Sequence, residues 1–257
     1  TLYYYCTQHS AMGGQANTNS TFGSSNFSGS IQSVASANNT AGFSIVSYTG
    51  NGSGGSTVGH GLGVIPQVII IKKRSSAVEW GVYVEPLGSA NRLALNTTAA
   101  SGGTGMLNST DPTSSVFTLG TAGVSNSSGG TYIAYCFAEK KGFSKISSFI
   151  GNGSSDGTYV NLGFRPSFIL YKVSSASSDW YLQDNKRLTY NVNNTRLEAN
   201  NSDAEVTGAA DSIDMLSNGF KMRHTSSSFN NSGKTYIYYA VAESPFVNSK
   251  GVPNNAR

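Results

Sequence analysis

Short runs of apolar residues alternate along the chain with longer polar stretches of Ser, Thr, Asn and Gly. The runs are about four to eight residues long and rich in β-branched and aromatic residues, as is typical of strands. The run 68–71 is continuously β-branched, which favours a strand buried on both faces. The run 43–48 stops at Gly50-Asn51-Gly52, and Asn-Gly is a strong turn signal. Because no segment has a helical period, the pattern predicts an all-β protein.

Composition narrows the class further. Charged residues make up 12% of the 257 residues and aromatic residues 11%. The aromatic residues occur in apolar runs, which disordered chains lack. No apolar run approaches the roughly 20 residues that a membrane helix needs. The net charge of +4 comes from scattered cations, with no block denser than Lys72-Lys73-Arg74. We therefore expect neither membrane insertion nor nucleic-acid binding.

An internal repeat organises the chain, because segments of the first half recur in unbroken order about 100 residues later. The matched segments are 42–44 with 142–144, 47–53 with 148–154, 62–66 with 162–166, 92–96 with 196–200, and 131–139 with 235–243. A period of this length is too long for a solenoid and fits two complete small domains.

The repeat and the short strands together predict two tandem, duplicated antiparallel β-sandwiches of jelly-roll type. They should superpose with one strand order, with Pro66 on Pro166 and Trp80 on Trp180 as core markers, both tryptophans largely buried. The predicted segments are 1–14 for the end of an upstream module, 15–41 for a polar connector with a possible strand at 31–37, 42–141 and 142–243 for the sandwiches, and 244–257 for an extended tail. We also expect the chain to be the C-terminal portion of a longer polypeptide.

The sharpest local motif follows the first aromatic strand and reads Cys6-Thr7-Gln8-His9-Ser10-Ala11-Met12. Over about a dozen residues it resembles the last strand and ligand loop of a cupredoxin, the blue-copper fold. The resemblance implies that Cys6, His9 and Met12 are copper ligands, together with a second His from a strand upstream of Thr1. Because that His is missing, we expect an incomplete site that binds no copper. The alternative is an ordinary packed Cys and Met, and we predict no cofactor.

Nothing in the sequence predicts catalysis. Acidic residues recur at matched positions, but each adjoins an apolar strand, which favours a strand-end role over glycosidase chemistry. These pairs are Glu79 with Asp179 and Glu139 with Glu243. The glycine-rich segments 50–55 and 59–63 are not followed by a helix, so they are not phosphate loops. His60 has no counterpart in the second copy. We expect a protein that is not an enzyme.

Three stretches of the chain carry a family resemblance. Residues 41–52, 58–66 and 132–139 are similar to the C-terminal region of large virion proteins of tailed phages that infect marine bacteria and cyanobacteria. The ending 245–253 is also similar to the terminus of such proteins. The resemblance, which covers residues 31–257, implies a structural protein on the virion surface, most often tail-fibre or adhesin-like. It carries no catalytic residues over to this chain.

The leading hypothesis is therefore a phage tail-fibre component that attaches to host-surface polysaccharide. Uncharged polar loops offer adaptable hydrogen bonds to glycans, with exposed tyrosines such as Tyr190 as further contacts. Two alternatives stay open: a capsid decoration or other purely structural virion subunit, and a secreted carbohydrate-binding module. Expected partners are other virion proteins and further copies of the chain, most simply as a trimer. Phe22, Phe27 and Ile31 lie in a polar segment and need burial, which a neighbouring subunit or the first sandwich can supply, and they motivate the homo-oligomer.

Overall fold

The computed structural model describes the backbone of strands at residues 2–5 and 13–16, and then residues 23–208, 212–245 and 247–248. The predicted all-β fold class is confirmed, because nearly all regular structure consists of antiparallel strands. Within the described residues, helical structure is limited to the four-residue helix α1 (Gly123–Asn126) and a 3-10 turn at Glu85–Leu87.

The strands follow the apolar runs of the sequence. In chain order they are β1 (Leu2–Tyr5), β2 (Gly13–Ala16), β3 (Ser24–Asn26), β4 (Ser33–Asn38), β5 (Phe43–Thr49), β6 (Ser56–Gly59), β7 (Val68–Lys73), β8 (Gly81–Val84), β9 (Leu93–Ala94), β10 (Val116–Leu119), β11 (Thr131–Phe137), β12 (Ser144–Ile150), β13 (Tyr159–Asn161), β14 (Pro166–Val173), β15 (Tyr181–Asp184), β16 (Thr195–Glu198), β17 (Val206–Thr207), β18 (Ile213–Leu216), β19 (Gly219–Met222) and β20 (Thr235–Ala242).

The chain divides into two compact units. Unit 1 contains the described residues of Thr1–Tyr83 and Thr104–Ala138, and unit 2 contains those of Val84–Gly103 and Glu139–Arg257. The change of unit at residue 138 lies close to the repeat junction. Segment 84–103 differs from the expectation, because the repeat places it in the first sandwich whereas it belongs to unit 2. Its hydrogen bonds to the loop 172–180, described below, are the physical reason.

Unit 1 is a sandwich of a large and a small sheet. Within unit 1 the strands of the large sheet have the order β3-β4-β5-β11-β7-β8, and the small sheet pairs β6 with β10. Apolar side chains of both sheets meet in one core, for example Val46, Ile71 and Ala134 from the large sheet with Val58 and Phe117 from the small one. Burial of these side chains is the main force that holds the two sheets together.

Unit 2 repeats this arrangement. Its large sheet has the order β12-β20-β14-β15-β16-β17, and its small sheet has the order β13-β19-β18. Phe149, Ile169 and Tyr236 from the large sheet pack in one core with Val160 and Phe220 from the small sheet.

Strand order is the same in the two units, as the sequence repeat predicts. The series β5-β11-β7-β8 corresponds to β12-β20-β14-β15, and the pair β6-β10 corresponds to β13-β19. Unit 1 adds β3 and β4 beside β5, whereas unit 2 adds β18 to its small sheet. The strand expected within 31–37 is β4, which pairs with β5.

The connector residues differ in how they are buried. Ile31 is buried in unit 1, where its amide donates to the Thr57 carbonyl at 2.9 Å. Phe27 is 61% exposed in the single chain, so the first sandwich does not cover it, and its cover by a neighbouring subunit stays a prediction. Phe22 lies outside the described residues, as does most of the predicted tail.

Candidate functional site

A buried asparagine holds the first turn of unit 1. The Asn126 side chain has no exposed area and lies next to the Gly-Asn-Gly-Ser turn that follows β5. Its Oδ1 accepts from the amides of Asn51 at 3.0 Å and Gly52 at 3.3 Å. Its Nδ2 donates to the carbonyls of Ser53 at 2.9 Å and Gly120 at 3.0 Å. The side chain therefore satisfies backbone groups that the turn leaves unpaired.

Unit 2 contains the same device. Asn230 is fully buried, its Oδ1 accepts from the Asn152 amide at 3.0 Å, and its Nδ2 donates to the Ser154 carbonyl at 2.8 Å. A tyrosine hydroxyl holds the segment that precedes each asparagine: that of Tyr132 donates to the Gly123 carbonyl, and that of Tyr236 to the Ser227 carbonyl, both at 2.9 Å. The sequence analysis places Tyr132 and Tyr236 in matched segments but missed Asn126 and Asn230, although alignment of the two copies would have shown that these asparagines also recur.

The segment at the end of β7 in unit 1, and at the end of β14 in unit 2, places a lysine over a tryptophan. We call residues 72–80 clasp loop 1 and residues 172–180 clasp loop 2. In clasp loop 2, Lys172 Nζ lies 5.9 Å from the centre of the Trp180 ring, a cation–π distance, and donates to the Ser178 carbonyl. Burial lowers the pKa of Lys172 to about 8, although the nearby Asp179 carboxylate acts in the opposite direction.

A hairpin of segment 84–103 lies on clasp loop 2. Lys172 Nζ donates to the Thr98 carbonyl at 3.0 Å, and the same oxygen accepts from the Ser178 amide at 2.8 Å. The Trp180 indole N–H donates to the Ala94 carbonyl at 2.9 Å, and the Ser101 amide donates to the Ser174 carbonyl at 2.7 Å. Backbone carbonyls of the hairpin thus satisfy buried donors of the loop.

Clasp loop 1 has the same internal geometry without an equivalent hairpin among the described residues. Lys72 Nζ lies 5.7 Å from the centre of the Trp80 ring and donates to the Val78 carbonyl. The Trp80 ring is stacked on Tyr135, with a centroid distance of 6.5 Å.

The four predicted core markers differ in how deeply they are buried. Pro66 and Pro166 are both buried. Trp180 is 2% exposed, but Trp80 is only half-buried, so the expectation of two largely buried tryptophans holds at Trp180 alone. The difference arises because the hairpin covers Trp180.

An open pocket of mixed polar and apolar surface lies on the large sheet of unit 1. Its volume is about 250 Å³, and its lining consists of Gln32, Ser33, Val34, Ser47, Tyr48, Thr49, Arg74 and Thr131. Arg74 is exposed and brings a positive charge to a wall of hydroxyl and amide groups. Tyr48 donates to the Ser125 carbonyl at 2.8 Å, and its pKa is raised well above the usual value, mainly by burial. This lining can bind hydroxyl groups and a carboxylate by hydrogen bonds.

The second copy differs from this lining at two of the matched positions. Ser174 and Ile150 stand where unit 1 has Arg74 and Thr49. The Ser174 hydroxyl donates to the Thr235 carbonyl at 3.1 Å, within its own sheet. The positive charge and the Thr49 hydroxyl of the pocket are therefore specific to unit 1.

The histidines of the repeat have structural partners. His60 is fully buried, its Nε2 lies 3.1 Å from the Thr113 carbonyl, and its Nδ1 accepts from the Leu62 amide at 3.2 Å. Burial lowers the pKa of His60, which favours the neutral ring. His224 Nδ1 accepts from the Ser226 amide at 2.8 Å. Neither ring is directed at a second titratable side chain by these bonds.

The predicted copper ligands Cys6, His9 and Met12 lie outside the described residues. Across the part of the chain that is described, no group of three or more His, Cys, Asp or Glu side chains could hold a metal ion. Cys136 is a free, buried thiol, and burial raises its pKa.

Three of the recurring acidic residues, Asp179, Glu139 and Glu243, have partners nearby. Asp179 accepts from the Asn200 amide at 2.8 Å, and Glu139 accepts from the Ile146 backbone amide at 3.3 Å. Glu243 forms an ion pair with Arg165 at 3.2 Å. These contacts fix loops and strand ends, as the sequence analysis expects of them.

In the described part of the chain, no helix has the length and apolar character needed to cross a membrane.

Comparison with known proteins gives one match. A family described as "Domain of unknown function (DUF7483)" matches residues 16–245, which include both units. Neither the curated proteins nor the solved structures give a match. Since the matched region covers most of the chain, the protein belongs to the DUF7483 domain family.

Proposed function

We propose that this chain is a structural protein of a phage virion, a tail-fibre or adhesin-like component on the particle surface that attaches to host glycans. The resemblance of residues 41–52, 58–66 and 132–139 to phage virion proteins motivates the proposal. Tandem sandwiches with few charges suit a rigid extracellular scaffold that presents uncharged polar surfaces.

The pocket of unit 1 is the observation that carries glycan attachment. Arg74 can pair with a sugar carboxylate through two parallel N–H···O bonds, while Ser47, Thr49 and Thr131 offer hydroxyl partners to sugar hydroxyls. Strands β4, β5 and β11 supply most of the lining, so the groups are held in place before a ligand binds. An open site of this size binds weakly, and several copies on one particle would raise the overall affinity.

The acidic residues with resolved pKa shifts lack the raised pKa of a general acid. Where pKa shifts of acidic groups are resolved among the described residues, at Asp156 and Asp184, both pKa values are lowered. Lys221 is the main cause for Asp156, and hydrogen bonds from Arg187 outweigh desolvation for Asp184. A general acid at neutral pH requires the opposite shift.

Binding of the purified chain to host surface polysaccharide tests the proposal. Arg74→Gln should weaken binding at least tenfold, because it removes the charge that pairs with a carboxylate. Lys141→Gln removes one charge from an exposed residue outside the pocket and should change affinity less than twofold. Equal affinities for both variants would contradict the pocket assignment. Release of reducing ends from the polysaccharide would contradict the non-enzymatic role.

A purely structural virion subunit is the second candidate, favoured by the duplicated fold and by the hairpin seated on clasp loop 2. Antibody labelling of particles in electron micrographs separates the two candidates. Label on the tail fibres supports host attachment, whereas label spread over the capsid supports a decoration protein.

A further inference from the structure

Two equivalent hairpins have different surroundings. The first is closed by the bridge between Arg92 and Gly102, and the second by the pairing of Arg196 with Val206. The same sequence offset relates both pairs of residues, so residues 94–101 at the first tip correspond to 198–205 at the second.

The first tip is engaged within the chain. Carbonyls of Ala94 and Thr98 and the amide of Ser101 bond to clasp loop 2, as described above. The second tip is exposed from Asn201 to Glu205. A side chain still stabilises the turn of this tip, because the Asp203 backbone amide donates to Asn201 Oδ1 at 2.9 Å.

The two clasp loops also differ, because clasp loop 2 contacts a hairpin and clasp loop 1 is more exposed. Clasp loop 1 is exposed from Arg74 to Ala77, while its Lys72 keeps the position over the tryptophan ring that Lys172 has in clasp loop 2. Among the described residues, Lys72 Nζ has one hydrogen-bond acceptor, the Val78 carbonyl, whereas Lys172 Nζ also reaches the hairpin at Thr98. An ammonium group has three donors, so clasp loop 1 retains capacity for a further carbonyl.

We propose that the hairpin tip 198–205 of one chain docks on clasp loop 1 of a second copy of the same chain. The arrangement would repeat the docking of tip 94–101 on clasp loop 2. By this equivalence the Ser202 carbonyl takes the place of Thr98 and accepts from Lys72 Nζ. The occupant is thus specified by the structure that the chain already forms within unit 2.

Charge complementarity favours this occupant. Clasp loop 1 carries Lys73 and Arg74, where clasp loop 2 has uncharged residues. The second tip carries the exposed Asp203, where the first tip is uncharged, while Glu205 at its base pairs with Arg187 at 2.7 Å within the chain. Docking between copies therefore brings the acidic Asp203 to a loop of net positive charge, whereas docking within a chain involves a tip without charged side chains. Opposite charges would direct each hairpin to its own loop, which is how charge usually confers specificity at interfaces.

Such a contact joins different surfaces of the two copies. Head-to-tail contacts of this kind produce a closed ring when the rotation between copies closes, and a filament when it does not. A three-membered ring would give the expected trimer. The inference concerns assembly and shares Arg74 with the proposed glycan pocket, so Lys72, which lies outside that lining, is the residue that separates the two.

Disulfide trapping tests the geometry. In a Cys6→Ser background, the full chain with Ala77→Cys is mixed with the full chain with Ser202→Cys under oxidised glutathione. These positions correspond to Ser177 and Thr98, where the Ser177 hydroxyl lies 3.1 Å from the Thr98 carbonyl. We expect a covalent dimer from the mixture. The variant Thr98→Cys with Ser177→Cys, which should link within one chain, is the positive control.

Charge reversal tests the energetics. Asp203→Lys should weaken self-association at least tenfold in analytical ultracentrifugation, and addition of Arg74→Asp to the same chain should restore most of the loss. Glu85→Lys makes the same charge change at an exposed site elsewhere in unit 2 and should shift association less than twofold. Lys72→Met should also weaken association, and Lys72 is not part of the pocket lining, so this effect is separate from glycan binding.

Two results would overturn the inference. One is a wild-type chain that stays monomeric at several hundred micromolar. The other is failure of the cysteine mixture to cross-link while the positive control links.

Discussion

Replacement of Asn126 by Ala is the sharpest test of how the repeated turns are stabilised. The substitution removes a fully buried amide and, with it, hydrogen bonds to the Asn51 and Gly52 amides and to the Ser53 and Gly120 carbonyls. The bond to the Gly120 carbonyl is buried, and the others are partly buried. Water can therefore replace some partners but not the one at Gly120.

The expected loss in the free energy of unfolding follows from these burial states. A buried backbone carbonyl without a partner costs about 1–3 kcal/mol, and each rehydrated group costs roughly 0.5 kcal/mol of net hydrogen bonding. We therefore expect Asn126→Ala to destabilise unit 1 by about 3 kcal/mol. Asn230→Ala should cost unit 2 less, about 2 kcal/mol, because all its hydrogen bonds are partly buried.

Urea denaturation followed by tryptophan fluorescence can assign each loss to its unit. The chain has two tryptophans, Trp80 in unit 1 and Trp180 in unit 2, so a Trp→Phe change at one of them leaves a probe for the other unit. Asn39→Ala alters an exposed asparagine of unit 1 and serves as the control. A loss at Asn126 below 1 kcal/mol, or no larger than at Asn39, would refute the argument.

Three further predictions concern unit 2 and the buried thiol of unit 1. Trp180→Phe removes the indole N–H that donates to the Ala94 carbonyl and should lower the free energy of unfolding by about 1–2 kcal/mol in urea titrations. Burial raises the pKa of Tyr238 to about 12. Because an unfolded tyrosine ionises near pH 10, the unfolded chain binds fewer protons above that pH, so stability should fall from about pH 10 to pH 12, and less steeply in Tyr238→Phe. Cys136, in a Cys6→Ser chain, should react with a thiol reagent only on unfolding, and rapid labelling of the folded chain would contradict its burial.

Much of the fold is predictable because its determinants are local. Strands such as β7 and β11 coincide with apolar runs, and the turn at Gly50-Asn51-Gly52 coincides with a turn signal. The repeat adds a second, independent copy of each signal. Agreement between the copies therefore predicts a common strand order without any knowledge of contacts.

The position of segment 84–103 could not be predicted, because its determinants are long-range. The segment is held by backbone carbonyls of Ala94 and Thr98, and backbone groups carry no sequence signature. The difference in burial between Trp80 and Trp180 could not be predicted for the same reason. Both tryptophans follow similar residues, and only the tertiary partner of Trp180 distinguishes them.

The candidate glycan pocket could likewise be predicted only in part from the sequence. Sequence analysis named exposed hydroxyl-rich loops as glycan contacts in general, but the pocket requires side chains from β4, β5 and β11 and Arg74 beyond β7. Residues that converge from separate strands leave no spacing pattern along the chain.

The duplication also explains why charge, rather than shape, is the feature that separates the two docking pairs. Copies of one domain inherit the same clasp loop and the same hairpin, so by geometry alone either tip fits either loop. A tandem protein with two identical pairs could dock its hairpins in the wrong order. Uncharged residues around Ser174 and a neutral first tip, set against Arg74 and Asp203 on the other pair, remove this ambiguity. In the proposed assembly, the first hairpin, whose tip has no charged side chain, docks within its own chain, as observed in unit 2. The second hairpin, which carries Asp203, docks on clasp loop 1 of another chain.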